Sequence, residues 1–463
     1  MRHHSEAYEE LKKGDYQAPS IYLAAIKERI ATPDIAAIRR RVEKVLQRDD
    51  VDEILAVEEG EDGFTNIVLR SLDEDEPDNE LVSLFRIRIY DNDEPEAWSY
   101  EAADYRNRNL LEDERSEMQQ ATQILECFTY FDADFAQSHW MLQFAVIDAI
   151  AGSCYALQDM VSGQFFSGTW LAEMAQTYTP PSLEMAYVLH VIVPEDDSRA
   201  DFWMHTHGLL KFGLPELEIM RASRNNLETY QGIINSVSQI MLDNPEIWHE
   251  DEAILCANTE AGELGVRLMP WQQALRSDLL APMKKGLFKQ KIERFSGDLG
   301  EREEDDIHTE PSLVIFGDRD GQAVHLSDFG AAVEEGSHIM LMLPNSETRR
   351  MYCLAKEKLP LFSGCLKRHP PEEGVWGYMM KIRCESPSTE ATEHMWFVVQ
   401  SISGDEVVAE LVNEPFDIPE MHSGESYTLP LDDVTDWCIY STPLQARITP
   451  DDVFRLRRYL DAN

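Results

Sequence analysis

The stretch from Asp201 to Arg224, DFWMHTHGLLKFGLPELEIMRASR, restricts the fold more than any other part of the chain. Phe202, Met204 and Thr206 alternate with Trp203, His205 and His207, so a strand here puts both histidines on one face. Gly208 and Gly213 bracket a short turn, Leu214 and Pro215 extend it, and Leu217, Glu218, Ile219 and Met220 resume an apolar pattern. The segment therefore reads as strand, turn, strand. The nearly continuous apolar run from Met185 to Pro194 has the character of a strand buried on both faces and is expected to lie beside it.

Two accounts of these histidines fit the residue types. His205 and His207, next to Glu216 and Glu218, are the donors that a zinc or related transition-metal site uses, with His190 of YVLHVIV as a third ligand. Alternatively, the imidazoles are structural and hydrogen-bond to backbone in a packed turn. No H-E-x-x-H or C-x-x-C spacing accompanies them, and no P-loop, G-x-G-x-x-G or G-x-S-x-G occurs, so no nucleotide or other cofactor is expected.

Charge removes whole classes of partner. With 41 Lys+Arg against 86 Asp+Glu the formal charge is −45, which repels phosphate backbones and anionic bilayers; it fits either solubility in a salty cytoplasm or a basic protein as partner. Neither nucleic acid nor membrane is expected to bind. The N-terminus MRHHSEAYEELKKGDY lacks an apolar core, and Trp140 to Met160 is broken by Gln143, Asp148, Gln158 and Asp159, so the expected location is the cytoplasm. Seven cysteines without paired spacing fit reduced core residues.

The predicted fold class is α+β, with mixed and antiparallel sheets carrying helices on one face and a smaller β-rich C-terminal domain ending in a helix. Residues 1–296 form the N-terminal region, divisible near 125, 297–310 an acidic linker, and 311–463 the C-terminal region. Expected strands include one from Ile21, then 52–57, 65–72, 81–90, 153–157, 264–268, 313–316, 338–343, 378–383, 395–399, 407–411 and 427–429. Expected helices are 35–47, Leu110–Phe131, 138–150, 168–176, 227–242 and 450–460.

HTHGLLKFGLPELEI resembles the T-x-G-(L/M)-x-x-F-G-x-P-E-L-E signature of bacterial proteins of unknown function, over roughly residues 20 to 285. EHMWFVV at 393–399, ELVNEPFDIP at 410–419 and SGESYTLPLDDVTDWCIY at 423–440 are similar to the YegJ-like bacterial domain of unknown function, over about 375–460. Neither resemblance implies an activity. The landmark residues Glu393, His394, Trp396, Asn413, Asp436 and Trp437 are candidates for one C-terminal groove with an aromatic platform; a Trp-to-Asp hydrogen bond in an aromatic core is the alternative. The functional expectation is a non-catalytic protein-binding protein, immunity-like or regulatory. The other reading is a metal-dependent hydrolase centred on His205 and His207 with Glu216.

Overall fold

The computed structural model describes residues 2–16, 18–31, 33–72, 80–193, 201–223, 226–249, 252–259, 262–280, 296–298, 302, 307–329, 340–342 and 344–462. The fold is α+β, with three largely antiparallel sheets. The chain divides into two compact units: the first holds Met1–Ser167 and Ser182–Pro344, the second Gly168–Pro181 and Asn345–Asn463.

The first unit opens with helix α1 (Arg2–Lys12) and contains a seven-stranded sheet of β1 (Ser20–Ile26), β2 (Glu53–Glu59), β3 (Thr65–Leu72), β4 (Glu80–Asp91), β5 (Gln123–Thr129), β6 (Cys154–Asp159) and β7 (Phe165–Ser167), in the order β2-β3-β4-β5-β1-β6-β7. Helix α2 (Ile35–Val42) begins where Asp34 accepts the amide of Ala37 at 2.7 Å. Helix α4 (Ala136–Ala151) is apolar nearly all round because it is buried nearly all round. Its few polar groups are matched: Gln143 bonds the Ser20 hydroxyl at 2.7 Å, and the Trp140 indole donates to Tyr22 at 3.0 Å.

The helix expected over Leu110–Phe131 is instead a short helix α3 (Glu112–Glu117) followed by strand β5. Apolar residues of that stretch fit either period. The tie is broken by tertiary pairing, since β5 lies between β4 and β1 and is bonded to both.

The second sheet of the first unit contains β8 (Val188–Ile192), β9 (Asp201–His207), β10 (Glu216–Ser223), β11 (Ile254–Thr259), β12 (Gly262–Pro270), β13 (Ser312–Arg319), β14 (Gln322–Val324) and β15 (Met340–Leu341). Its order is β15-β11-β12-β13-β10-β9-β8, with β14 on β13, and β10 and β13 run parallel. Helix α6 (Leu227–Asp243) packs on it, with Ser236 bonding the Cys256 carbonyl at 3.0 Å. The strand β13 was expected to open the C-terminal region, but it is bonded to both β10 and β12. The acidic run 297–310, described only at 297–298, 302 and 307–310, is thus a connection inside one sheet and does not separate the units.

The second unit is built on a sheet of β16 (Trp376–Glu385), β17 (Thr392–Ser403), β18 (Glu406–Leu411), β19 (Ser426–Pro430), β20 (Val434–Ser441) and β21 (Ala446–Ile448), ordered β19-β18-β17-β16-β20-β21. Three helices complete it: α5 (Gly168–Met174), α8 (Asn345–Arg368) and α9 (Val453–Ala462), α7 (Trp271–Ala274) being part of the first unit. Glu173 of α5 joins them. Its buried carboxylate takes Lys358 of α8 at 2.9 Å and both Nε and Nη2 of Arg457 of α9.

Among the described residues no helix is long and apolar enough to cross a membrane. All seven cysteines are free, and six are buried.

Candidate functional site

Strand β9 delivers its alternation as the sequence requires. Trp203, His205 and His207 share a face, and the β8–β9 ladder sets His190 directly opposite His205. On the other side of β9, Glu218 of β10 is the partner of His205. Three imidazoles are thereby gathered, and their nearest ring nitrogens all lie within 4.8 Å of one another. Ring centres are 5.3 Å apart for His190 and His205, 5.0 Å for His190 and His207, and 4.8 Å for His205 and His207.

His205 is 2% exposed, and among the described residues neither of its ring nitrogens has a hydrogen-bond partner. For His205, the backbone bonds expected of a structural histidine are absent among the described residues. Burial holds its conjugate acid far below the usual imidazole range, with His207, His308, His190 and Arg302 adding positive charge nearby. His190 is lowered as well, by burial first and then by His308 and Arg106. His205 therefore stands as a neutral nitrogen donor.

The two glutamates are present but occupied. Glu216 accepts the Thr206 hydroxyl at 2.6 Å and the amides of Gly208, Leu209 and Leu210 at 2.7, 3.0 and 3.3 Å, so it caps the turn after β9. Burial raises its pKa despite those donors. The turn demands glycine at 208, where φ is +130° and a Cβ would come within 2.3 Å of the Ala186 carbonyl. Glu218 holds Arg302 through 2.5 and 3.1 Å contacts, accepts the Trp203 indole at 2.7 Å, and bonds the Ser312 hydroxyl. Neither carboxylate is free to ligate. They orient the strand and turn that carry the histidines.

Two further residues come from the acidic run and were not visible to charge-based reading. His308 packs its ring 4.8 Å from His205, 5.4 Å from His207 and 5.0 Å from Trp203. Arg302 lies over Trp203 and Trp271, at 4.7 and 4.4 Å, and donates to the carbonyls of His308 and Gly297 at 2.7 and 3.0 Å. A lone arginine and a lone histidine inside an otherwise acidic stretch were the available signal. His205, His207, Glu216, Glu218, His308 and Ser312 are among the residues that line a partly open cavity of about 10 Å³, room for one water or one ion, and His190 lies outside its lining.

The C-terminal candidates do not meet in one groove. Phe397, Met380 and Trp437 form one cross-strand row, and Trp396, Lys381 and Asp436 the next, so the two tryptophans point to opposite faces. Trp437 is fully buried and donates to the Ala355 carbonyl of α8 at 2.9 Å, not to an aspartate. Glu393 accepts the amides of Phe416 and Asp417 at 3.0 and 3.2 Å, fixing the loop after β18. His394 bonds Thr435 at 3.2 Å, Asp436 receives the Trp437 amide at 2.7 Å, and Asn413 is exposed.

Three family profiles align with the chain. Residues 21–181 match "Protein of unknown function (DUF4026) N-terminal" and residues 189–316 match "Protein of unknown function (DUF4026) C-terminal". The chain matches both halves of DUF4026. The C-terminal DUF4026 match contains His190, His205, His207 and His308 and spans the acidic run. The N-terminal DUF4026 match runs through α5, so this one segment supplies residues to both compact units. Residues 354–445 match "Uncharacterized protein conserved in bacteria (DUF2314)". No curated protein and no solved structure gives a significant match.

Proposed function

We propose that the first unit is a metal-binding module in which His190, His205 and His207 hold one divalent transition-metal ion. The observation that carries this reading is His205: a buried imidazole whose two nitrogens have no hydrogen-bond partner among the described residues, facing two more imidazoles. A buried polar group left unpaired costs about 1–3 kcal/mol, and a bound cation would remove that cost. Neutral nitrogen donors favour zinc, copper, nickel or cobalt over magnesium or calcium. Both neighbouring carboxylates are already engaged, Glu216 by the turn and Glu218 by Arg302 and Ser312, which supports binding over turnover; the hydrolase reading is correspondingly weaker. Titrating chelator-treated protein with zinc is the test. One equivalent should bind, and His205→Gln should bind none; wild-type protein that takes up no zinc at equimolar concentration would overturn the proposal.

A second reading, a non-catalytic protein-binding role of immunity-like or regulatory kind, draws support from the first sheet. Val82, Leu84 and Tyr130 are 52%, 46% and 45% exposed, and the −45 charge favours a basic partner. A photo-crosslinker at position 84 should trap one basic protein in cells; labelling no different from that at exposed Leu46 would remove this reading. We further infer a cytoplasmic location, in keeping with seven free cysteines. The DUF2314 segment also carries the landmarks of the YegJ-like domain at 393–396, Asn413, Pro415 and Asp436–Trp437.

A further inference from the structure

Gly377 is a glycine that its own surroundings do not require. It lies inside strand β16, paired with Tyr440 of β20. Its φ is outside the left-handed region, and a Cβ there would make only ordinary contact, 3.6 Å from the Tyr440 Cβ. A glycine inside a strand weakens it, and one that neither backbone nor packing calls for marks a place where a ligand or another chain comes close. Tyr378 and Met380 point into the core, so Gly377 opens on the outer face of the sheet. Tyr440 and Val398 flank it there, 47% and 44% exposed. All three line an open groove of about 690 Å³, within the about 300–1,000 Å³ usual for ligand sites.

The charged side chains of this groove are Glu372 and Glu373, and no lysine, arginine or histidine lines it. Both are exposed, and among the described residues neither carboxylate has a hydrogen bond or an ion pair. A tight turn fixes them at the rim. The Trp376 amide donates to the Glu372 carbonyl at 2.9 Å, the Glu372 amide to the Trp376 carbonyl at 3.0 Å, and the Thr442 hydroxyl to the Gly374 carbonyl at 2.6 Å. An apolar floor below two unpaired carboxylates suits a cation carried on an aliphatic stem, which describes lysine and arginine. We propose that the groove binds a basic segment of another protein, with lysine or arginine against Glu372 and Glu373 and an aliphatic neighbour over Gly377. The site is separate from the exposed patch of the first sheet and stands independently of the metal centre.

Selection of random displayed heptapeptides on the full chain tests this. The selected peptides should carry lysine or arginine next to leucine, isoleucine or valine. By fluorescence anisotropy, wild type should bind them at least about tenfold tighter than Gly377→Val, whose side chain fills the floor. That variant keeps the −45 charge, so any nonspecific attraction persists, and it adds a strand-favouring residue, so its melting temperature should not fall. Glu372→Gln and Glu373→Gln should each weaken binding by about 2–5-fold and lower its dependence on salt. If melting shows Gly377→Val to be unfolded, these two variants decide alone. Selected peptides without a basic residue rule the proposal out, and so does binding that all three variants leave unchanged, which would be charge attraction alone. Self-association of wild type that Gly377→Val abolishes, with no peptide selected, would give the groove to a second copy of the chain instead.

Discussion

His190 and His205 face each other directly across the β8–β9 ladder, with ring centres 5.3 Å apart. Backbone register, fixed by every bond of that ladder, therefore fixes the distance between the two donors before any ligand arrives.

Occupancy should stabilise the first unit by mass action. Free zinc at a hundred times its Kd should add about 2.7 kcal/mol to unfolding. Calorimetry with zinc and with chelator should show that gain in wild type and none in His205→Gln. Identical melting of wild type in both solutions would contradict a site specific to the folded chain.

Acid should act on α4 with two signs. His139 is lowered to about 4 by burial, so as pH falls below 6.5 the unfolded chain protonates first and stability is lost between about 6.5 and 4. The loss amounts to about 3 kcal/mol at full extent. Asp148 is raised to about 6, again by burial, so the folded chain takes that proton first and stability is gained as pH falls from 6 towards 4. Urea melts between pH 7 and 4 should show a shallower acid loss for His139→Gln and a steeper one for Asp148→Asn. Parallel curves for all three proteins would refute the assignment.

Lys211 and Asp159 form an ion pair at 2.5 Å with both side chains wholly buried, the ammonium lying over the rings of Tyr22 and Trp140. Lys211→Met strands the carboxylate and should cost about 3–5 kcal/mol. Adding Asp159→Asn should recover a large part of that, because no unpaired charge remains. A double-mutant cycle by denaturant unfolding measures the coupling; simple additivity would mean the pair is not coupled.

Cleavage in the acidic run should not release two folded pieces. Strands β12 and β13 lie on either side of it in sequence and are bonded to each other. Glutamyl endoprotease should nick this run, and the fragments should still co-elute at the mass of the intact chain. Separation of the fragments without denaturant would show that the run divides independent domains.

The part of the fold written in local alternation was legible. Trp203, His205 and His207 are spaced two apart, and their common face followed from that spacing alone. Helix α8 was hidden because Pro360 and Gly364 inside it read as breakers, and strand β5 because its apolar residues satisfy a helical period too. Glu216 and Glu218 lie near the histidines, and the groups that occupy Glu216 come from the adjoining turn and strand, 6 to 10 residues away, whereas the guanidinium and hydroxyl that hold Glu218 come from Arg302 and Ser312, 84 and 94 residues away. His308 was masked by its neighbours: a charge run looks solvated whatever single residue it conceals.

Helix α5 belongs to the second unit although it is encoded inside the first. On the ribosome it emerges long before α8 and α9, and at about 5–20 residues per second Glu173 waits tens of seconds for Lys358 and Arg457 to be made. The second unit cannot close before translation is nearly finished. For the same reason a gene cut at residue 345 does not yield a transferable cassette: the fragment leaves behind the helix that neutralises its buried lysine, and recombination can move this module intact only by carrying residues 168–181 with it.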